Sequence, residues 1–277
     1  MELFFSFCFW CFFTLLLLYS PVEAQQILFE NDFFAVGQKD RFLTNHTVIN
    51  YRSFSVGNEM YTPTEKENPL IPDGDRPWDG YSYVGYTAIR GASANEARYY
   101  TVRLGAVGDL SATKNLQRFV HNDLGLGADP TGWETANPSE ITIDGIYEHK
   151  FKSRFKSWVG DAVLLQTYGV RAGTVRVSCF LEQEARRGFW LENDLAFFVF
   201  AGVRGEVKAY DTHLDGRLFR SNHYTVRAIP FVAWANAGAE IVYKNYFLRY
   251  GYKFQTEEFK NQDGRHLYGS ISLGAIF

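Results

Sequence analysis

The chain has 277 residues, with 28 Lys and Arg against 31 Asp and Glu, and its formal net charge of −3 gives no basic footprint for nucleic acid. Aromatic residues make up 17% of the chain, which also contains 24 Gly and only 3 Cys. Two of these, Cys8 and Cys11, lie in the first apolar segment, so Cys179 stands alone in the rest. A disulfide scaffold and a cysteine-based zinc site are therefore excluded.

Residues 1–24 are predicted to be a secretory signal peptide. A run rich in Phe and Leu is followed by the small residues Val22 and Ala24, and a polar stretch begins at Gln25. An uncleaved anchor stays open as the alternative, because Glu2 precedes the apolar run and no Lys or Arg does. Residues 25–277 are expected to form one domain.

The exported part has the profile of a transmembrane β-barrel. Its longest apolar run, 195–203, is about half of the ~18 residues that a spanning helix needs. A chain that is exported, aromatic-rich and Gly-rich, and that lacks such a helix, is typical of an outer-membrane barrel. A periplasmic β-sandwich is the competing interpretation.

Strands are predicted where apolar and polar residues alternate with period two. Ile141 and Ile143 alternate with Thr142 and Asp144, and charged residues fall in the inner set of several long strands, which suits a polar lumen better than a dry core. The predicted strands cover 27–35, 41–56, 79–92, 97–108, 141–151, 156–173, 191–208, 223–236, 246–255 and 267–277.

Two interruptions break this rhythm. Residues 57–78 are punctuated by Pro and Gly and are predicted to be a long loop. Residues 109–138 contain the one predicted helix, because Leu116, Phe119, Val120 and Leu124 form an apolar stripe of helical spacing. Ser111 or Thr113 is expected to cap its start, and Gly125 its end.

The polar side of this helix carries the first candidate site residues. Gln117 and His121 are four residues apart, so one lies above the other on a helix. A histidine is suited to act as a base near neutral pH, and a glutamine one turn earlier could orient it or hold a water. The alternative is a helix face that only contacts solvent.

A second cluster of polar residues lies at the start of the exported part. Asn31 and Asp32 follow the first strand, and Thr44 lies at the start of the next. Carboxylate, amide and hydroxyl oxygens grouped in this way suit a hard cation such as Ca²⁺. Ordinary turn chemistry, in which such side chains bond to their own backbone, is the alternative.

Taken in order, these segments resemble the outer-membrane lipid A 3′-O-deacylase family. The resemblance covers essentially all of the chain after residue 24. It is carried by residues 30–34 (ENDFF), 40–45 (DRFLTN), 60–63 (MYTP) with 74–78 (GDRPW), and 104–108 (LGAVG) with 116–125 (LQRFVHNDLG) and Gly132-Trp133.

The resemblance implies a membrane-embedded barrel of 12 antiparallel strands, with the site between the barrel wall and a short helix in an extracellular loop. His121 would be the base that activates water and Gln117 its neighbour on the helix. Asn31, Asp32 and Thr44 would lie on the wall, with Ca²⁺ at Asp32. The family also has a loop lysine, for which Lys66 is the nearest candidate.

The function implied is hydrolysis of a 3′-linked acyl ester of lipid A at the bacterial outer membrane, by a monomer that binds no nucleic acid. No serine nucleophile is needed, and the sequence has no Gly-x-Ser-x-Gly motif. Two alternatives stay open: a barrel without enzymatic activity, either a porin or a structural or adhesion protein, and a phospholipase or other acyl hydrolase on the same scaffold.

Overall fold

The computed structural model describes residues 25–31, 34–35, 42–65, 70–123, 125, 130–157, 160–191, 194–222 and 224–275. In this part of the chain, twelve antiparallel strands form a closed barrel in which β1 pairs with β12. This confirms the predicted fold. The strands are β1 (Gln25–Asn31), β2 (Phe42–Tyr51), β3 (Phe54–Thr62), β4 (Asp79–Arg90), β5 (Glu96–Val107), β6 (Glu140–Ser157), β7 (Gly160–Gly173), β8 (Arg176–Trp190), β9 (Leu195–Asp211), β10 (Phe231–Tyr243), β11 (Tyr246–Gln255) and β12 (His266–Ala275).

The two ends of the barrel differ in their connections. At one end, called the turn end, neighbouring strands are joined by two to five residues, as between β2 and β3 at Arg52 and Ser53. At the other, called the loop end, the connections include 63–78, 108–139, 212–230 and 256–265. The helices lie at the loop end: α1 (Thr113–Arg118) between β5 and β6, and the short α2 (Thr212–Asp215) after β9. No helix in the described residues is long and apolar enough to cross a membrane.

The predicted alternation separates an apolar outer face from a polar lumen. On β6, Ile141 points outward and is 78% exposed, whereas its neighbours Thr142 and Asp144 are buried inside. On β11, Leu248 is exposed on the outside, and Arg249 turns inward to bond Glu184 at 3.1 Å. A closed barrel has no free strand edge, so its backbone polar groups are satisfied without water.

Ion pairs fill the lumen towards the loop end. Lys208 bonds Asp211 at 3.2 Å and Glu258 at 3.1 Å. Arg76 reaches the same Glu258 at 3.3 Å, and Arg176 bonds Asp211 at 2.9 Å. Because Arg76 and Glu258 come from two different loops, these loops fold into the mouth of the barrel and meet there. We call this group of side chains the plug.

The structure differs from the predicted elements at four points. Residues 41–56 form two strands, because Arg52, with φ of 55°, turns the chain without the Gly or Pro that signals a turn. The predicted loop 57–78 begins later, since β3 continues to Thr62, and the strand predicted over 223–236 begins at Phe231. Strand β8 was not predicted, because Gln183 and Arg187 interrupt the apolar residues of its outer face.

Candidate active site on the outer barrel wall

The helix-bearing loop begins with a change of backbone direction. Residues Gly108–Ser111 form a 3-10 turn, and Ala112, with φ of 57°, precedes α1. Neither predicted cap occupies the cap position, which belongs to Ala112. The Ser111 hydroxyl instead accepts the Thr113 amide at 3.3 Å. Beyond α1 the helix widens into a π-turn over Phe119–Asp123, and Gly125 follows with φ of 68°.

The helix presents its polar face to the barrel, and not its apolar stripe. Leu116 and Phe119, two residues of the apolar stripe, are 41% and 49% exposed. Thr113, Gln117 and His121, spaced by four, are buried, Gln117 at 2% and His121 at 8% exposure. In a protein surrounded by water, the apolar stripe of such a helix faces the core. On the outer wall of a membrane barrel the surroundings of an exposed side chain are lipid, so the polar stripe turns inward.

Side-chain hydrogen bonds attach the start of α1 to the outer wall. Asn58 on β3 and Ser82 on β4 share the outward face with the exposed Phe54 and Val84. The Asn58 amide donates to the Thr113 hydroxyl and to the Ser82 hydroxyl, both at 2.8 Å. Ser82 in turn donates to the backbone carbonyl of Ser111 at 2.7 Å.

A glycine permits this close approach. A Cβ added at Gly80, on the same outward face of β4, would lie 2.4 Å from the Cβ of Thr113. Any side chain there would push the helix from the wall. The helix can therefore pack closely on the wall because Gly80 has no side chain, and hydrogen bonds hold it there.

The wall beside the helix carries two predicted site residues. Thr44 lies in a β-bulge between Leu43 and Asn45, and its hydroxyl bonds the Thr62 hydroxyl of β3 at 2.6 Å. Asn31 is the last residue of β1. It lies two positions after Phe29, which pairs with Thr47, and therefore shares the outward face with Phe29. Asn31, Thr44 and the helix stripe are thus brought to the outer side of the wall at the loop end.

Behind Gln117 lies an aromatic cluster that the sequence analysis did not single out. The Trp133 indole N–H donates to Gln117 Oε1 at 2.6 Å. Trp133 packs against Trp78, with ring centroids 5.4 Å apart, and the two form one buried cluster with Met60. Gly132 lies so close that a Cβ there would be 2.0 Å from the Trp78 indole nitrogen. In the sequence, Trp78 and Gly132-Trp133 stand out only as parts of motifs that carry the family resemblance.

On the lumen side of the same wall, an acidic residue joins two loops. Asp79 is fully buried. Its carboxylate accepts hydrogen bonds from both terminal nitrogens of Arg217, at 2.8 and 2.6 Å, and is hydrogen-bonded to His213 Nδ1 at 2.7 Å. Arg217 Nε also donates to the Pro138 carbonyl at 2.8 Å, so the 212–230 loop holds the helix-bearing loop. No spacing signal indicated this, since Asp79 and Arg217 are 138 positions apart.

The other two predicted site residues, Asp32 and Lys66, lie outside the described residues, as does the predicted signal peptide. Among the described residues no group of three or more His, Cys, Asp and Glu is placed to hold a metal ion. The wall offers the amide oxygen of Asn31 and the hydroxyl oxygen of Thr44. Such neutral oxygen donors fit Ca²⁺ rather than a transition metal, provided that Asp32 adds its carboxylate.

Comparison with known proteins agrees with this architecture. The chain is similar to LpxR from Salmonella typhimurium, at 15% identity and a TM-score of 0.77, over 92% of this chain and 100% of that one. The β-domain of the Bordetella autotransporter BrkA aligns over 92% of this chain and 98% of its own, at 11% identity and a TM-score of 0.46. No curated protein matches. The model of the family described as outer membrane protein LpxR matches residues 49–277, so the chain belongs to this family of the bacterial outer membrane.

Proposed function

We propose that the protein is a monomeric lipid A deacylase that hydrolyses a 3′-linked acyl ester, with His121 as the general base. Membership of the LpxR family and the shared fold support a lipid A-modifying enzyme. The resemblance of the sequence motifs to the lipid A 3′-O-deacylase family supports the 3′-linked ester as the bond that is cleaved and His121 as the base.

One observation carries the proposal. The buried stripe of Thr113, Gln117 and His121 faces the outer wall, while Leu116 and Phe119 of the same helix are exposed. Polar groups able to handle water thus lie beside a surface suited to acyl chains. This is the arrangement that hydrolysis of a lipid ester needs, because its ester group lies at the border of polar and apolar regions.

The chemistry follows from a base and a water. His121 takes a proton from the water as its oxygen attacks the ester carbonyl. The bond between the acyl carbon and the sugar oxygen then breaks, and the fatty acid leaves. The sugar oxygen receives the proton from His121. Asn31 and Thr44 line the wall on which the ester would lie, and the Thr44–Thr62 hydrogen bond holds that hydroxyl in place.

Ca²⁺ is proposed as the cofactor, held by Asp32 with the oxygens of Asn31 and Thr44. When bound, it would supply positive charge near the developing oxyanion. Activity is therefore expected to fall in a chelator and to return with added Ca²⁺ but not with Mg²⁺, which demands a stricter octahedral geometry.

The decisive experiment compares His121→Ala with wild type on purified lipid A, with product masses read by mass spectrometry. Loss of the base is expected to lower the rate by about 10²–10⁴-fold. His149→Gln is the matched control, because His149 is an equally buried histidine near the turn end, bonded to Glu96.

Four results would contradict parts of the proposal. Wild-type protein that leaves lipid A fully acylated refutes the deacylase, and release of fatty acid from phospholipid alone assigns the other acyl hydrolase class. Activity that survives in the His121→Ala variant refutes the base, and activity insensitive to chelator refutes the calcium. A porin is already disfavoured by the plug in the lumen.

A further inference from the structure

The orientation of the Gln117 amide is fixed by the chemistry of its neighbour. An indole N–H is a donor only, so the atom it bonds must be the amide oxygen. Trp133 Nε1 bonds Gln117 at 2.6 Å and thereby identifies that atom as Oε1. The NH₂ group of Gln117 therefore points away from Trp133.

This NH₂ group has no hydrogen-bond partner among the described residues, although Gln117 is only 2% exposed. A buried donor left without an acceptor costs about 1–3 kcal/mol, and native proteins leave few of them. Gln117 lies one turn before His121 on the same buried stripe. An unsatisfied donor beside a proposed base points to an acceptor that arrives with the substrate.

We infer that Gln117 Nε2 donates a hydrogen bond to the carbonyl oxygen of the scissile ester, and that Trp133 is the positioning residue that turns the amide to do so. This inference rests on the proposed function and adds an electrophilic partner to its base. Gln117 touches the substrate, whereas Trp133 acts only through Gln117. As the carbonyl oxygen becomes negative, the bond strengthens and lowers the barrier.

Trp133 is built to hold this orientation. It belongs to the 3-10 turn Gly132–Thr135, in which the Thr135 hydroxyl donates to the Gly132 carbonyl at 2.6 Å. Its ring packs on Trp78, and it is only 2% exposed. The Trp133–Gln117 hydrogen bond thus joins two parts of the loop, the 3-10 turn that carries the indole and the helix α1 that carries the amide.

The test is a double-mutant cycle of Gln117→Met and Trp133→Phe, with kcat and KM measured on lipid A. Gln117→Met removes the donor, and kcat is expected to fall by about 10²–10³-fold. Trp133→Phe keeps an aromatic ring and removes the indole N–H, so kcat should fall by about 5–10-fold with little change in KM. In the Gln117→Met background, Trp133→Phe should cause no further loss.

Trp78→Phe is the matched control. It removes the same indole N–H from the same aromatic cluster, but that of Trp78 has no partner among the described residues. Because Trp78 packs on Trp133, its kcat is expected to fall, but by clearly less than that of Trp133→Phe. Equal losses from Trp78→Phe and Trp133→Phe, or the same Trp133→Phe loss with and without Gln117, would show a packing role and overturn the inference.

A second measurement does not depend on the reaction. The indole N–H resonance of Trp133, assigned by its absence in Trp133→Phe, is expected to shift upfield in Gln117→Met as its hydrogen bond is lost. An unmoved resonance overturns the orientation of the amide. Inactive wild-type protein overturns the proposed function and the carbonyl contact with it, whereas active protein with an unaffected Trp133→Phe variant overturns the inference alone.

Discussion

Single buried charged residues hold the loops together at the loop end of the barrel, and Glu258 is an example. Burial alone would raise the pKa of its carboxyl group, but Lys208 and Arg76 lower the pKa from 4.5 to about 2. A carboxyl group whose pKa is lower in the folded than in the unfolded state stabilises the fold above the unfolded value. This stabilisation is lost as the pH falls from 4.5 through about 2.

Glu258→Gln is therefore expected to destabilise the protein by about 3 kcal/mol at pH 7, since it leaves buried cations short of a partner. The difference from wild type should shrink between pH 4.5 and pH 2, the window set by the two pKa values. Thermal unfolding in detergent, followed by circular dichroism at pH 7 and pH 3, measures it. A difference that is independent of pH would contradict the pairing.

The candidate site residues could be found from the sequence, but their surroundings could not. The four-residue spacing of Gln117 and His121 predicted a shared helix face, and the structure places both on one buried stripe. Which face is buried depends on whether water or lipid lies outside, and the helix pattern does not contain that information. The partner of Gln117 was equally hidden, because Trp133 is 16 positions away.

At the scale of elements, the helix-bearing loop depends on its fit to β4. Gly80→Ala would place a Cβ 2.4 Å from that of Thr113, and the helix must then move away from the wall. Deacylation is expected to fall at least about tenfold, because a shift of about 1 Å in an active site is costly. Amide hydrogen exchange, read by mass spectrometry, should show reduced protection across residues 113–123.

Gly145→Ala on β6 is the control for this variant. Gly145 also lies on the outer face of a strand, but an added Cβ there meets nothing closer than 3.7 Å. It should leave activity and exchange unchanged. Full activity and normal protection in Gly80→Ala would show that the helix is not positioned by contact with the wall.

Strands were predicted well where the outward face is entirely apolar, and poorly where polar residues interrupt that face. The outward Ile141 and Ile143 made β6 evident, whereas β8 places Gln183 and Arg187 among its outward residues and was not predicted. The turn at Arg52 was hidden because its strained backbone is set by the pairing of β2 with β3. Pairing between strands is a property of the barrel, not of the local sequence.

For the whole molecule, the plug predicts a barrel that does not conduct. Asp79 and Arg217 tie the 212–230 loop across the mouth, and Lys208 binds the 256–265 loop through Glu258. Protein reconstituted in planar lipid bilayers is expected to show no steady ionic current. A stable conductance from wild type would contradict this description of the lumen.

Arg217→Gln should weaken this closure, because it leaves the buried Asp79 with His213 as its remaining side-chain partner among the described residues. We expect a loss of about 3–5 kcal/mol in stability and intermittent current. Arg220→Gln, which changes an exposed arginine of the same loop, should behave like wild type. Composition and alternation predicted the barrel, but the plug joins residues too distant in sequence for any local pattern to reveal.

The π-turn after α1 sets the direction of the proposed base. In a regular α-helix, positions four apart drift by about 40°, so His121 would lie about 80° around the helix from Thr113. A π-turn has more residues per turn and so reduces this drift, and His121 is buried together with Gln117. Such a turn amounts to one extra residue in a helix. Deleting Val120 would place the histidine three positions after Gln117 in a regular helix, about 60° around the helix from it, and is expected to abolish the proposed hydrolysis while leaving the barrel intact.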